Sequence, residues 1–360
     1  MKHLSKYYLI FTFFFLLDKI LLVPELRFSW TVSTPVNPYV DSLDNKEYPY
    51  KDKKDMRIVW NYGTSRSGCF YRVPVPAQTA VDPYLSQEDR SRINRYEINN
   101  FSSRGSDPEI YLTRMLQLLE RGIKPDAVFI EISPLSFNEN NQFSNFAKTE
   151  GISFFTLIGN LDKYSINTIR EIVISRLFTS YRYKLSWDKI AKSKNDSSLF
   201  MTVMNMRMNK HTAGQKTNQK LTDQKLNDYQ SGNMTERDYL TKFKLVAKII
   251  EQPLLGNWKL DSSRMEAVDT MIRIAEENGI PVVIWRPDVH PLMKEMYVQK
   301  NVHRDFEPAL QKIIQERKVP YIDFNSQNLL KCNYFTDVSH LSARCCSEMA
   351  ARLTEALEKR

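Results

Sequence analysis

Two short motifs carry the residue types needed for acyl transfer. Gly63-Thr64-Ser65-Arg66-Ser67-Gly68 places hydroxyl groups in a turn directly after the apolar run Arg57–Tyr62. Asp337-Val338-Ser339-His340 places a carboxylate three residues before an imidazole. A serine hydroxyl is a weak nucleophile until a base takes its proton. A histidine is suited to that task near neutral pH, and a carboxylate can hold the ring in the right tautomer. Asp337 can therefore hold the His340 ring toward a nucleophile elsewhere in the chain, and the turn exposes Ser65 as a candidate for it, with Ser67 as a fallback nucleophile. Each motif alone has a plainer meaning: a strand-to-helix turn for the first, a helix cap for the second. Arg66, Arg286 and His290 are the candidate substrate-binding residues. The plainer alternative makes Arg286 and His290 rim residues and pairs Arg66 with a carboxylate such as Glu131. His303 and His211 have no convergent partners in the sequence and read as surface residues.

These residues need a scaffold that brings distant segments to one edge. Short apolar runs at Arg57–Tyr62, Tyr96–Phe101, Asp126–Ile132, Ile280–Trp285 and Val319–Phe324 read as five strands. Helical spacing of apolar residues covers Asp107–Gly122, with an Asp start and a Gly stop, and Ser262–Gly279, Arg304–Arg317 and Leu341–Lys359. Alternating strands and helices predict a three-layer α/β/α fold around a mostly parallel five-stranded sheet. Such sheets hold their sites beyond the C-terminal ends of the strands. One motif ends the first strand and the other precedes the last helix, so both can reach that edge.

With these motifs in these positions, the chain resembles the SGNH/GDSL hydrolase superfamily. That family carries its nucleophilic Ser in a Gly-Asp-Ser turn after the first strand and its base in a late Asp-x-x-His. Within it, the chain is most similar to the membrane-anchored branch that O-acylates envelope polymers. It resembles in particular an uncharacterised spirochaete family with the same Leu-Leu-Asp-Lys-Ile anchor and Gly-[Ser/Thr]-Ser-Arg-Ser turn. The resemblance covers residues 56–135 and 262–360 together with the anchor. It implies an SGNH/flavodoxin-like sheet and a serine esterase or O-acyltransferase, with Ser65 as nucleophile, His340 as base and Asp337 as its orienting partner. It also implies oxyanion donors from the backbone of Ser65 and of Gly105, in the block Asn99-Asn100-Phe101-Ser-Ser-Arg-Gly105-Ser106. Two positions depart from the pattern. Thr64 replaces the usual Asp. The third block, normally Gly-x-Asn-Asp, reads Glu131-Ile-Ser133-Pro134-Leu-Ser-Phe-Asn138, leaving Asn138 or Ser133 for the third donor.

The chain has 360 residues, 42% hydrophobic and 26% charged, with 10 Gly. This is globular composition and excludes disordered and collagen-like classes. The net charge of +9 does not point to nucleic acid, because seven of the nine charges fall between Lys189 and Lys248. That segment reads as a solvated insertion or a contact surface for anionic lipid or glycan. The apolar run Tyr7–Val23, preceded by Lys2 and Lys6, predicts an N-terminal transmembrane helix. A bulky, charged sequence follows it, which favours an uncleaved anchor over a signal peptide. Asp18 and Lys19 interrupt the run; they either snorkel to the outer interface or meet a membrane-embedded partner, such as an acyl donor.

The expected layout is an anchor at 1–25, a linker at 26–55, and an SGNH-like domain at 56–360 interrupted by a helical, polar cap insertion at 140–258. The expected location is the cytoplasmic membrane, N-terminus inside, domain periplasmic, with an envelope polysaccharide or lipid as substrate. Four Cys form no small secreted framework. Cys332 pairs with Cys345 or Cys346, or all three stay buried thiols. No metal, nucleotide or other cofactor motif is present in the sequence.

Overall fold

The computed structural model describes residues 2–19, 56–72, 82–103, 105–183, 236–326, 329–342 and 345–359. The expected linker at 26–55, residues 184–235 of the expected cap, which include His211, and Arg104 lie outside them. The chain divides into two units, residues 1–36 with 166–224, and residues 37–165 with 225–360.

The second unit holds the sheet. Strands β1 (Arg57–Tyr62), β2 (Tyr96–Asn100), β3 (Ala127–Glu131), β4 (Val282–Arg286) and β5 (Tyr321–Asp323) are all parallel, in the order β2-β1-β3-β4-β5. In this doubly wound order the strand sequence reverses between β1 and β3, where the loops part and leave a crevice at the C-terminal edge. Ser65 follows β1 and Glu131 ends β3, so both lie at that reversal. Every residue of β3 and of β4 is buried. This explains the apolar runs Ala127–Ile130 and Val282–Trp285 before their terminal Glu131 and Arg286, since strands covered on both faces need no polar alternation.

The helices form two packed sets. On one side α3 (Pro108–Glu120) packs against α9 (Ser262–Glu277), and α9 against α11 (Val302–Arg317) and β4. On the other, α12 (Cys346–Glu358) packs against α2 (Gln87–Ile93) and β4. Local chemistry sets the helix ends. Asp107 accepts the N–H groups of Glu109 and Ile110, and Pro108 opens α3 without a wasted donor. Gly122 and Gly279, after α3 and α9, adopt φ of +74° and +69°, which suits glycine. Helices α4 (Gln142–Gly151), α5 (Phe154–Gly159), α8 (Glu236–Leu255) and α10 (Pro291–Gln299) complete the described part of this unit.

One boundary differs from the sequence expectation. The last helix begins at Cys346 rather than Leu341, and the residues before it form an antiparallel hairpin of β6 (Phe335–Asp337) and β7 (His340–Leu341). The cause is Asp337. Its Oδ1 accepts the backbone N–H groups of Ser339 at 2.8 Å and His340 at 3.0 Å, which closes a tight turn in place of a helical one.

In the first unit, α1 (Lys2–Asp18) exposes Tyr7, Leu9, Phe13 and Leu16 among other apolar side chains. Among the described residues no helix is long and apolar enough to cross a membrane. Helices α6 (Ile166–Leu177) and α7 (Thr179–Tyr183) follow one another. The Asp18 carboxylate accepts N–H groups of Thr179 at 2.5 Å and Ser180 at 2.7 Å. Lys19 donates to the Leu177 carbonyl and lies over the Phe15 ring at 4.3 Å. Both charges thus have partners within the chain.

Candidate active site

Ser65 opens a 3-10 turn, Ser65–Arg72, at the end of β1. Its Oγ lies 2.7 Å from His340 Nε2. The other ring nitrogen, Nδ1, is 2.8 Å from Asp337 Oδ2 and 2.9 Å from Oδ1. An ionised carboxylate only accepts, so Nδ1 carries the proton and Nε2 is left as the acceptor that faces Ser65. Burial works to raise the Asp337 pKa, but His340 and the hydrogen bonds from His340 and Ser339 outweigh it and hold the carboxyl near 2. The hairpin turn that displaced the helix is therefore also what orients the base. Ser339, which sequence reasoning missed, adds a hydroxyl 3.1 Å from Asp337 Oδ1 and 3.0 Å from His340 Nδ1. The signal was present as a Ser two residues after an Asp and beside the His.

The nucleophile turn is held from below by Glu131, which is fully buried. Its Oε2 accepts Thr64 N–H at 2.8 Å and the Ser67 hydroxyl, and its Oε1 accepts the Thr64 hydroxyl at 2.6 Å. Ser67 is also fully buried with its proton committed to Glu131, so it is not an alternative nucleophile. Arg66 folds inward, and its backbone N–H and Nη1 donate to Thr64 Oγ1 at 3.2 Å each. It is 8% exposed and is part of the turn rather than a surface group for substrate. The side of the turn is fixed by a chain of amides: Trp285 Nε1 donates to Asn61 Oδ1, Asn61 Nδ2 to Asn100 Oδ1, and Asn100 Nδ2 to the Ser67 carbonyl at 2.7 Å.

Residues 5–357 match the family described as "Protein of unknown function (DUF1574)". The chain belongs to this family. Among curated proteins none matches. Among solved structures, a GDSL-like lipase from Bacteroides thetaiotaomicron VPI-5482 is similar at 10% identity and a TM-score of 0.37, over 89% of this chain and 98% of that one. A TM-score of that size is too low for the likeness to bear on chemistry.

The other expected site residues of this DUF1574 member take different places. Gly105, at φ +69°, follows a segment tied to the nucleophile turn by a bond from Ser103 N–H to the Gly63 carbonyl at 3.2 Å. Asn138 does not fit the oxyanion role expected of it. Its Nδ2 donates to the Leu254 carbonyl at 2.8 Å, and its Oδ1 accepts N–H groups of Asn140 and Lys259. It straps the loop after β3 to the segment before α9, and an isolated bridge pairs it with Leu260. Ser133, the other candidate, is fully buried and precedes the short 3-10 helix Pro134–Phe137.

Arg286 is 5% exposed and is used inside the fold. It donates to Asp323 Oδ2 at 3.1 Å and Glu307 Oε1 at 2.7 Å, and lies over Phe306. His303 joins it through Glu307 at 2.9 Å, so it too has a structural partner. His290 caps α10, its Nδ1 accepting Leu292 N–H, and sits between the rings of Phe243 at 4.8 Å and Phe335 at 5.5 Å. Burial lowers its pKa, which favours the neutral ring. Its backbone N–H donates to the Val338 carbonyl at 3.1 Å and so braces the turn that carries Asp337 and His340. Arg66 and Arg286 are thus bonded inside the fold, and His290 braces the turn that carries Asp337 and His340.

A disulfide joins Cys332 and Cys345, which settles the pairing that the sequence left open. Cys346 is also disulfide-bonded. The Cys332–Cys345 bridge closes the loop that contains both Asp337 and His340. Among the described residues no cluster of His, Cys, Asp or Glu could hold a metal.

Proposed function

We propose that this protein is an SGNH/GDSL-type serine esterase or O-acyltransferase that works through an acyl-serine. The observation that carries the reading is the continuous relay from Ser65 Oγ to His340 Nε2 and from His340 Nδ1 to Asp337, assembled from opposite ends of the chain. Three residues in this geometry are the working parts of acyl transfer.

In the first half-reaction, Ser65 Oγ attacks an ester carbonyl while His340 Nε2 takes its proton. Asp337 stabilises the imidazolium that forms. The tetrahedral oxyanion is met by backbone N–H groups, those of Ser65 and Gly105 in this reading. Collapse breaks the ester C–O bond, and the departing alcohol takes the proton from His340. In the second half, His340 removes a proton from water or a sugar hydroxyl. That oxygen attacks the acyl-Ser65 carbonyl, and Ser65 leaves with the proton returned. Water gives hydrolysis and a sugar gives transfer, with the same residues in the same roles.

The substrate proposed is an ester of an envelope polysaccharide or lipid, and the place of action the outer face of the cytoplasmic membrane. The apolar N-terminal segment and the disulfide at the catalytic loop support this, because disulfides persist in oxidising compartments. A second reading is a catalytically weak scaffold that binds envelope polymer or an assembly partner. The use of the Asn138 amide elsewhere favours it, since loss of one oxyanion donor costs about a hundredfold or more in rate.

The two readings separate on p-nitrophenyl acetate and a fluorophosphonate probe. The enzyme reading expects ester cleavage that Ser65→Ala abolishes and His340→Ala reduces at least about a thousandfold. A folded wild-type protein with neither cleavage nor labelling supports the scaffold.

A further inference from the structure

The mechanism above does not use Glu131, although a buried carboxylate beside a nucleophile is an unusual element. All three donors that Glu131 receives come from the turn itself, from the residue before Ser65 and the residue two after it. None comes from Ser65, whose hydroxyl is left to meet His340. The clamp therefore grips the turn on both sides of the nucleophile and leaves the nucleophile free. Its fit is tight at the entry: a Cβ on Gly63 would meet the Ser67 side chain and, at 2.5 Å, Glu131 Oε2.

We propose that Glu131 is a positioning residue for the reaction: its carboxylate sets the Thr64–Ser67 turn so that Ser65 Oγ points at His340 Nε2. The inference rests on the reading of Ser65 as the nucleophile. A carboxylate is needed because it accepts on both oxygens and donates on neither. Gln would turn an N–H₂ group toward one of these donors. With that group on Thr64 Oγ1, which already accepts twice from Arg66, the Thr64 proton is left without an acceptor. The turn then shifts to relieve the conflict, and Ser65 moves with it. A misplacement of about 1 Å at a reacting atom costs about 10²-fold in rate.

The test is the rate constant for fluorophosphonate labelling of Ser65 in the full chain in detergent micelles, with Glu131→Gln, Ser67→Ala and Glu109→Gln beside wild type. Glu109 is equally buried and pairs with Lys148 at 2.6 Å, so its variant controls for simple loss of stability. The expected result for Glu131→Gln is labelling about 10- to 100-fold slower that still reaches full stoichiometry. For p-nitrophenyl acetate the loss is expected in kcat more than in KM, with a pH profile of unchanged shape. Glu109→Gln is expected to label at the wild-type rate. Should Glu131→Gln not fold, Ser67→Ala keeps the carboxylate and removes one donor, and it is expected to slow labelling severalfold.

A folded Glu131→Gln that labels within twofold of wild type overturns the proposal. So does a Ser67→Ala that labels at the wild-type rate, or a Glu109→Gln slowed as much as Glu131→Gln. Wild type that does not label at all overturns the nucleophile reading and this inference with it, an outcome distinct from failure of the clamp alone.

Discussion

At the scale of single residues, the site depends on which charges sit where. Asp337 has a folded pKa near 2, below its usual 3.8, because His340 and Ser339 stabilise the carboxylate. A lowered folded pKa means that the interaction is fully present above about pH 4 and is lost as the pH falls toward 2. The stability gap between wild type and Asp337→Asn, measured by urea unfolding, is therefore expected to be largest near neutral pH and to shrink between pH 4 and 2. An unchanged gap at low pH would show that Asp337 contributes by packing rather than by charge. The grouping of Ser65, His340 and Asp337 was legible at this scale because these chemical types stand out at motif spacing. The supporting roles of Glu131, Arg66 and Arg286 were not. A buried carboxylate or guanidinium reads in a sequence as a surface charge, and only its partners across the fold reveal its use.

At the scale of elements, two locks hold the site. The β6–β7 hairpin lies inside the loop closed by Cys332–Cys345, and buried Glu348 of α12 fixes the start of that loop by accepting the N–H groups of Lys331 and Cys332 at 2.9 Å each. Replacing both Cys332 and Cys345 by Ala is expected to lower the unfolding free energy by about 2–4 kcal/mol. Denaturant titration under non-reducing conditions checks this. The second lock is Arg264, 1% exposed, which donates to the carbonyls of Ser136 and Asn138 and pairs with Asp107 and Asp261. Arg264→Met leaves two carboxylates without their cation and is expected to cost about 3–5 kcal/mol. A loss below about 1 kcal/mol in the same titration would contradict that account. The strands and most helices were legible because buried strands and capped amphipathic helices leave apolar runs, Asp starts and Gly stops. The β6–β7 hairpin was missed because its residues also suit a helix start. What decides between the two is Asp337 reaching the N–H groups of Ser339 and His340.

At the scale of the whole molecule, the sheet order explains why segments 275 residues apart meet. The reversal between β1 and β3 opens the edge where Ser65 stands, and the hairpin before α12 returns the chain to it. The anchor proposal belongs here as well: the full chain is expected to sediment with phospholipid vesicles, and the chain without residues 1–25 to stay in the supernatant. Equal partition of the two would remove the anchor from the account. The central claim is an activated Ser65, and the most direct measurement is fluorophosphonate labelling with the modified residue located by peptide mass spectrometry. The account predicts a single adduct on Ser65 in wild type, none in Ser65→Ala, and strongly slowed labelling in His340→Ala. Labelling that is equal in wild type and His340→Ala, or an adduct elsewhere in the folded chain, would contradict it.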